Sequence, residues 1–136
     1  MFTRGKLILA GIAALLVTLG LGFAWGASGR MALQASVEDT RQQLDLSDAR
    51  AQILDARISL YNNNFGDASR HFEDAKPGLQ RVKNRYQEAG RSDAASGIDA
   101  ALRNVEEAQR LSGKLDQAAN SKAGEAIEAI KVAAGR

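Results

Sequence analysis

The chain has 136 residues, 45% of them hydrophobic and 5% aromatic, with no cysteine, one histidine and one tryptophan. That length allows one soluble domain with an appendage, and the lack of cysteine excludes disulfides, thiolate metal sites and a cysteine nucleophile. The formal charge of +2 is an N-terminal excess: Arg4, Lys6 and Arg30 stand in residues 1–30 without an acid, leaving 15 basic and 16 acidic residues beyond them, so nothing calls for nucleic acid as a partner.

The first element is "LILAGIAALLVTLGLGFAWGASG", Leu7 to Gly29, without a charged residue. A helix of this length can cross a bilayer core of ~30 Å. It predicts an uncleaved N-terminal transmembrane helix over residues 1–29, with Leu7, Ile8, Leu15, Leu16, Leu19, Phe23 and Trp25 as its anchoring positions. A cleaved signal peptide is the rival, since Ala24-Trp25-Gly26 offers small residues, but the apolar run exceeds the usual signal core. Arg4 and Lys6 before the run, against Arg30 after it, put the N-terminus in the cytoplasm. The expected location is the bacterial inner membrane, with lipid as one partner and residues 30–136 periplasmic. Gly22 and Gly26 form a small-xxx-small pair, a candidate contact for a partner helix. Gly26 to Gly29 reads as a break before the next element.

From Leu33 the apolar positions step by alternating fours and threes: Leu33, Val37, Thr40, Leu44, Ser47, Ala51, Leu54, Ile58 and Tyr61. That is the spacing of a helix packed in a bundle or a coiled coil. Leu46, Ile53 and Leu60 widen the stripe and predict more than one neighbour. A second series runs through Phe65, Ala68, Phe72, Ala75, Leu79, Val82, Tyr86 and Ala89. Pro77 interrupts it, removing an N–H and crowding the carbonyl of Glu73. The apolar register continues past it, which predicts a kinked helix, with a break at Lys76 as the alternative. Gly90 suits a helix C′ position and Ser92 or Asp93 an N-cap. A third series follows from Ala94 to Ala119, and a short fourth carries Ile127 and Ile130.

The expected fold is all-α: a transmembrane helix, then an antiparallel three-helix bundle with a short C-terminal fourth helix. The helices are placed at about 31–61, 65–90, 92–119 and 122–134. Antiparallel pairing puts Leu44 opposite Val82, Leu54 opposite Phe72 and Asp45 beside Arg81, with Glu38 near Arg85.

Asn62, Asn63 and Asn64 stand between the first two series. Asparagine tolerates left-handed backbone and offers its side chain to free backbone groups, so these read first as a helix corner. The sharper reading makes them a polar knob offered to a partner. Around them, Ala56, Phe65, Ala68, Phe72, Ala75 and Pro77 follow the small-and-aromatic pattern of a tetratricopeptide repeat, and residues 54–77 resemble one such helical hairpin. The resemblance implies a tight αα-hairpin. No second repeat follows at the family's period, so it implies no peptide groove.

His71 has Asp67 and Asp74 at helical spacing, a weak metal constellation that reads as a solvated charged face. No nucleophile–base pair or phosphate loop is present. The expectation is a non-enzyme without cofactor, metal or small-molecule substrate. Its alanine-rich seams bury little apolar area per residue, which suits an accessory subunit of a larger integral membrane complex, an energy-transducing one as first guess. The alternative is a membrane-tethered helical module that captures a peptide or small ligand.

Overall fold

The computed structural model describes the backbone of residues 2–135 and the side chains of residues 8, 12, 14–18 and 33–135. Four helices follow one another: α1 (Phe2–Tyr61), α2 (Phe65–Glu88), α3 (Ser92–Ser112) and α4 (Ala119–Ala134). Two compact units divide between Asp39 and Thr40.

In the first unit the described side chains between Ile8 and Thr18 form a largely apolar helical surface. Ile8, Ile12, Leu15, Leu16 and Val17 are all exposed, and the Thr18 hydroxyl folds back onto the Ala14 and Leu15 carbonyls. Among the described residues no helix is long and apolar enough to cross a membrane, which corrects the expected transmembrane span. Of the expected anchoring positions, Ile8, Leu15 and Leu16 belong to this surface. Leu7, Leu19, Phe23 and Trp25, with Gly22 and Gly26, lie outside the described residues. The break expected at Gly26 to Gly29 does not occur, because α1 is helical throughout that stretch.

The second unit is a bundle to which all four helices contribute. Its core holds Leu46, Ala49, Ile53, Ala56 and Leu60 from α1, and Ala68, Phe72, Ala75, Leu79, Val82 and Tyr86 from α2. From α3 it takes Ile98, Ala101, Leu102, Val105 and Ala108, and from α4 Ala119, Ala123, Ala126, Ile130 and Ala133. The fourth helix is therefore a full member of the bundle. Its alanines let it lie close: a Cβ on Gly97 of α3 would stand 2.9 Å from that of Ala133.

The axial register follows the sequence pairing. Asp45 bonds Arg81 and Arg85 at 2.6 Å each, and Gln52 meets His71 at 2.8 Å. A Cβ on Gly78 would come within 3.1 Å of the Asp45 carbonyl and 3.7 Å of Ala49. The rotation of α1 about its axis differs from expectation. Leu44, Leu54 and Ile58, expected to face α2, are exposed, while the supposed flank of Leu46, Ile53 and Leu60 is buried. The small residues decide this. Ala49 and Ala56 interleave with that flank and admit α2 closely, whereas the Leu44–Leu54 stripe would hold it away.

α2 continues through Pro77, which lies on its exposed side. The three corners share one geometry. In each, a residue with positive φ follows the helix: Asn63 at 56°, Gly90 at 70° and Leu115 at 58°. Each also makes the paired return bonds of a Schellman motif. Asn64 N–H donates to Ser59 and Asn63 N–H to Leu60; Arg91 N–H donates to Tyr86 and Gly90 N–H to Gln87; Asp116 N–H donates to Leu111 and Leu115 N–H to Ser112. Gly90 thus takes its expected C′ place. The N-cap of α3 is Arg91, without a side-chain cap bond, and its guanidinium lies 4.5 Å over the Tyr86 ring.

Candidate functional site

The asparagines serve the corner. Asn63 is its left-handed residue, and the Asn64 side chain accepts the Asp67 N–H at 3.2 Å, capping α2. Asn63 Oδ1 also accepts from Gln117 Nε2 at 3.0 Å, and the same group reaches the Leu60 carbonyl at 3.4 Å. These bonds bring the first and third corners to one end of the bundle. Tyr61 and Leu115 remain exposed there, at 70% and 69%.

Most charged side chains are tied within the bundle. Hydrogen bonding from Arg81 holds the Asp45 carboxyl below its ordinary 3.8, against the opposing pull of partial burial and with help from Arg85. Asp99 of α3 is held down in the same way, first by Lys83 and then by Arg103. Glu73 takes Lys76 at 2.6 Å and Gln109 at 2.8 Å. Asp67 bonds Arg70 at 2.5 Å rather than converging with His71, whose Nδ1 faces Gln52 on α1. Among the described residues no group of three His, Asp or Glu side chains gathers in metal-ligand geometry. Asp67, His71 and Asp74 belong to no such group.

What the bundle leaves open is the outward side of α1. Leu44, Leu54 and Ile58 are exposed at 57%, 46% and 58%, and Tyr61 continues the stripe. Ser47 and Ala51 lie between them, also exposed. At 100° per residue this stripe is on the opposite side of the helix from Leu46, Ile53 and Leu60. One flank is closed by α4, where Arg57 Nε donates to Asn120 Oδ1 at 2.7 Å. Between the two helices runs an open groove of about 380 Å³, lined among others by Leu46, Ala51, Leu54, Ile130 and Ala134. The other flank faces α2 through the Asp45 and Gln52 bonds. Single exposed apolar residues are ordinary, but a contiguous stripe marks an interaction surface.

This surface was present in the sequence as the series of fours and threes, assigned to the wrong neighbour. Of the candidate partner contacts, Asn62, Asn63 and Asn64 are exposed at the end of the stripe. No protein family, curated protein or solved structure matches the chain.

Proposed function

We propose that the chain is a non-catalytic accessory subunit that docks into a larger assembly at a membrane through the outward face of α1. The observation that carries this reading is the contrast in composition between core and face. The core is rich in alanine, while Leu44, Leu54, Ile58 and Tyr61 stand in solvent. Burying large apolar side chains on a partner contributes roughly 1.5–3 kcal/mol for each one fully covered, and a ligand of the folded form stabilises it by mass action. The chemistry-bearing side chains support the non-catalytic part, because Asp45, Asp67, Glu73 and Asp99 are held in ion pairs. The uncharged segment from Leu7 to Gly29 and the exposed surface of Ile8, Ile12, Leu15, Leu16 and Val17 support association with lipid or with the apolar part of an integral complex. The basic residues Arg4 and Lys6 ahead of that segment suit the anionic surface of a membrane.

The test is membrane fractionation followed by native mass of the assembly in mild detergent, with the chain present and deleted. The expected result is a chain in the membrane fraction and an assembly that shrinks or loosens without it. A chain that fractionates away from membranes, with no assembly altered by its loss, would refute the reading and leave a helical binding module in its place.

A further inference from the structure

The geometry points to a second copy of this chain as the occupant of the outward face of α1, in a parallel, in-register two-stranded coiled coil. This rests on the docking role proposed for that face and makes the subunit it meets in the assembly a second copy, so that the assembly holds the chain as a pair.

Spacing comes first. Leu44, Ser47, Ala51, Leu54, Ile58 and Tyr61 step by three and four without interruption. In heptad terms Leu44, Ala51 and Ile58 take one core position (a), and Ser47, Leu54 and Tyr61 the other (d). A repeat of 3.5 keeps an apolar stripe turned toward a helical neighbour along its length. The bundle already has its own stripe from α1, in Leu46, Ala49, Ile53, Ala56 and Leu60. The second stripe, apolar but for Ser47, is therefore surplus to the fold.

Access comes second. The buried stripe lies on the far side of α1 from the seam, so α2 and α4 flank the helix from behind. Two copies can bring their seams together with each bundle pointing away from the contact.

Charge decides the partner and its direction. The residues beside the seam are Gln43, Arg50 and Arg57 on the α4 flank (g) and Asp48 and Asp55 on the α2 flank (e). In a parallel pair each g residue meets the e residue five places on in the other copy. Arg50 then meets Asp55 of the second copy and Gln43 meets Asp48, and the two-fold axis repeats both contacts. No like charges meet. An antiparallel pair would set g against g and e against e, bringing Arg50 and Arg57 to face arginines and Asp48 and Asp55 to face aspartates. Arg50 and Asp55 are exposed, and neither forms an ion pair among the described residues. Their neighbour Asp45 is already held by two arginines. The seam is thus edged by charges that complement the same surface on another copy.

The full chain in mild detergent tests this directly, since it has no native cysteine. Leu44→Cys and Ile58→Cys, made singly and oxidised, should each give a disulfide-linked dimer. Asp74→Cys, on the exposed side of α2, should not. Arg50→Glu alone and Asp55→Lys alone should each weaken the dimer, measured by sedimentation, by roughly tenfold in dissociation constant, and the two together should restore it. Crosslinking at only one of the two seam positions would mean an antiparallel or shifted contact and would overturn the proposal. A monomer that crosslinks at neither position would overturn it too. The docking role itself would still stand or fall by the assembly mass, so the two failures are distinguishable.

Discussion

Two stripes run along the same turns of α1, two residues apart in sequence and so on opposite sides of the helix. The inward stripe, Leu46, Ala49, Ile53, Ala56 and Leu60, alternates large and small side chains and is almost wholly buried. The outward stripe, Leu44, Ala51, Leu54, Ile58 and Tyr61, is comparably apolar and stands in solvent. Hydrophobicity does not separate them. The difference lies in what each admits. Ala49 lies against Gly78 of α2, 3.7 Å from where a Cβ would stand there, while the outward stripe is bordered by Arg50 and Asp55, which the bundle leaves in solvent. A close-packed neighbour selects small residues; a separable partner is met by a seam with charges at its edge.

The comparison breaks most visibly at adjacent residues. Ile53→Ala should destabilise the bundle by about 2–4 kcal/mol, because Ile53 is fully buried and a cavity is left behind. Leu54→Ala, at a concentration low enough to keep the chain monomeric, should shift it by no more than about 0.5 kcal/mol. Urea denaturation followed by circular dichroism reads both, and equal effects would merge the two stripes into one core. Next in size is Gly97→Ala, which drives a methyl against the Cβ of Ala133 and should cost about 1–3 kcal/mol. A neutral result in the same assay would mean α4 packs less tightly on α3 than its alanines imply.

Asp45→Asn sharpens the boundary between the stripes, where Arg81 and Arg85 converge on one carboxylate. Half of that cluster is solvent-screened, so the expected loss is about 1 kcal/mol. The sign in pH follows from the lowered folded value. The contribution is complete above the ordinary 3.8 and is lost as pH falls below it through the folded value. Wild type and Asp45→Asn should therefore converge in stability under acid; a difference that persists there would remove the ion pair as its cause. The smallest effect is a gain. Leu115 holds φ at 58° where a side chain is strained by ~1–2 kcal/mol, partly offset by glycine's entropy. Leu115→Gly should raise stability by about 0.5 kcal/mol, detected as a higher melting temperature, and a lower one would show that the exposed leucine contributes packing.

Much of the bundle was legible in the sequence because its corners announce themselves. Asn62 to Asn64 and Gly90 are residues that take left-handed backbone at little cost, and once they are fixed, helix length sets the axial register that joins Asp45 to Arg81. The third corner puts its glycine elsewhere: Gly113 is right-handed, at φ −62°, and the left-handed place falls on Leu115. Leu115 holds its left-handed place through Schellman return bonds alone, so the apolar series ran on to Ala119 where α3 ends at Ser112. The rotation of α1 was hidden for a different reason. Periodicity reports how many apolar faces a helix has, not which neighbour each one meets, and the larger side chains of Leu44 and Leu54 suggested the core when Ala49 and Ala56 held it. The same misassignment concealed the candidate site, because a seam read as buried leaves no surface to dock on.

The central claim is that the outward face of α1 is an interface built apart from the core. It is tested most directly by native mass and thermal melting of the full chain against the double variant Leu54→Asp/Ile58→Asp. The account predicts that the wild-type chain is associated and melts at a temperature that rises with its concentration, and that the variant is monomeric with unchanged helix content and a cooperative melt independent of concentration. A variant that loses its fold together with its association would make the stripe part of the core, and a wild-type chain that is monomeric and bound to nothing would leave the face without a partner; either result contradicts the account.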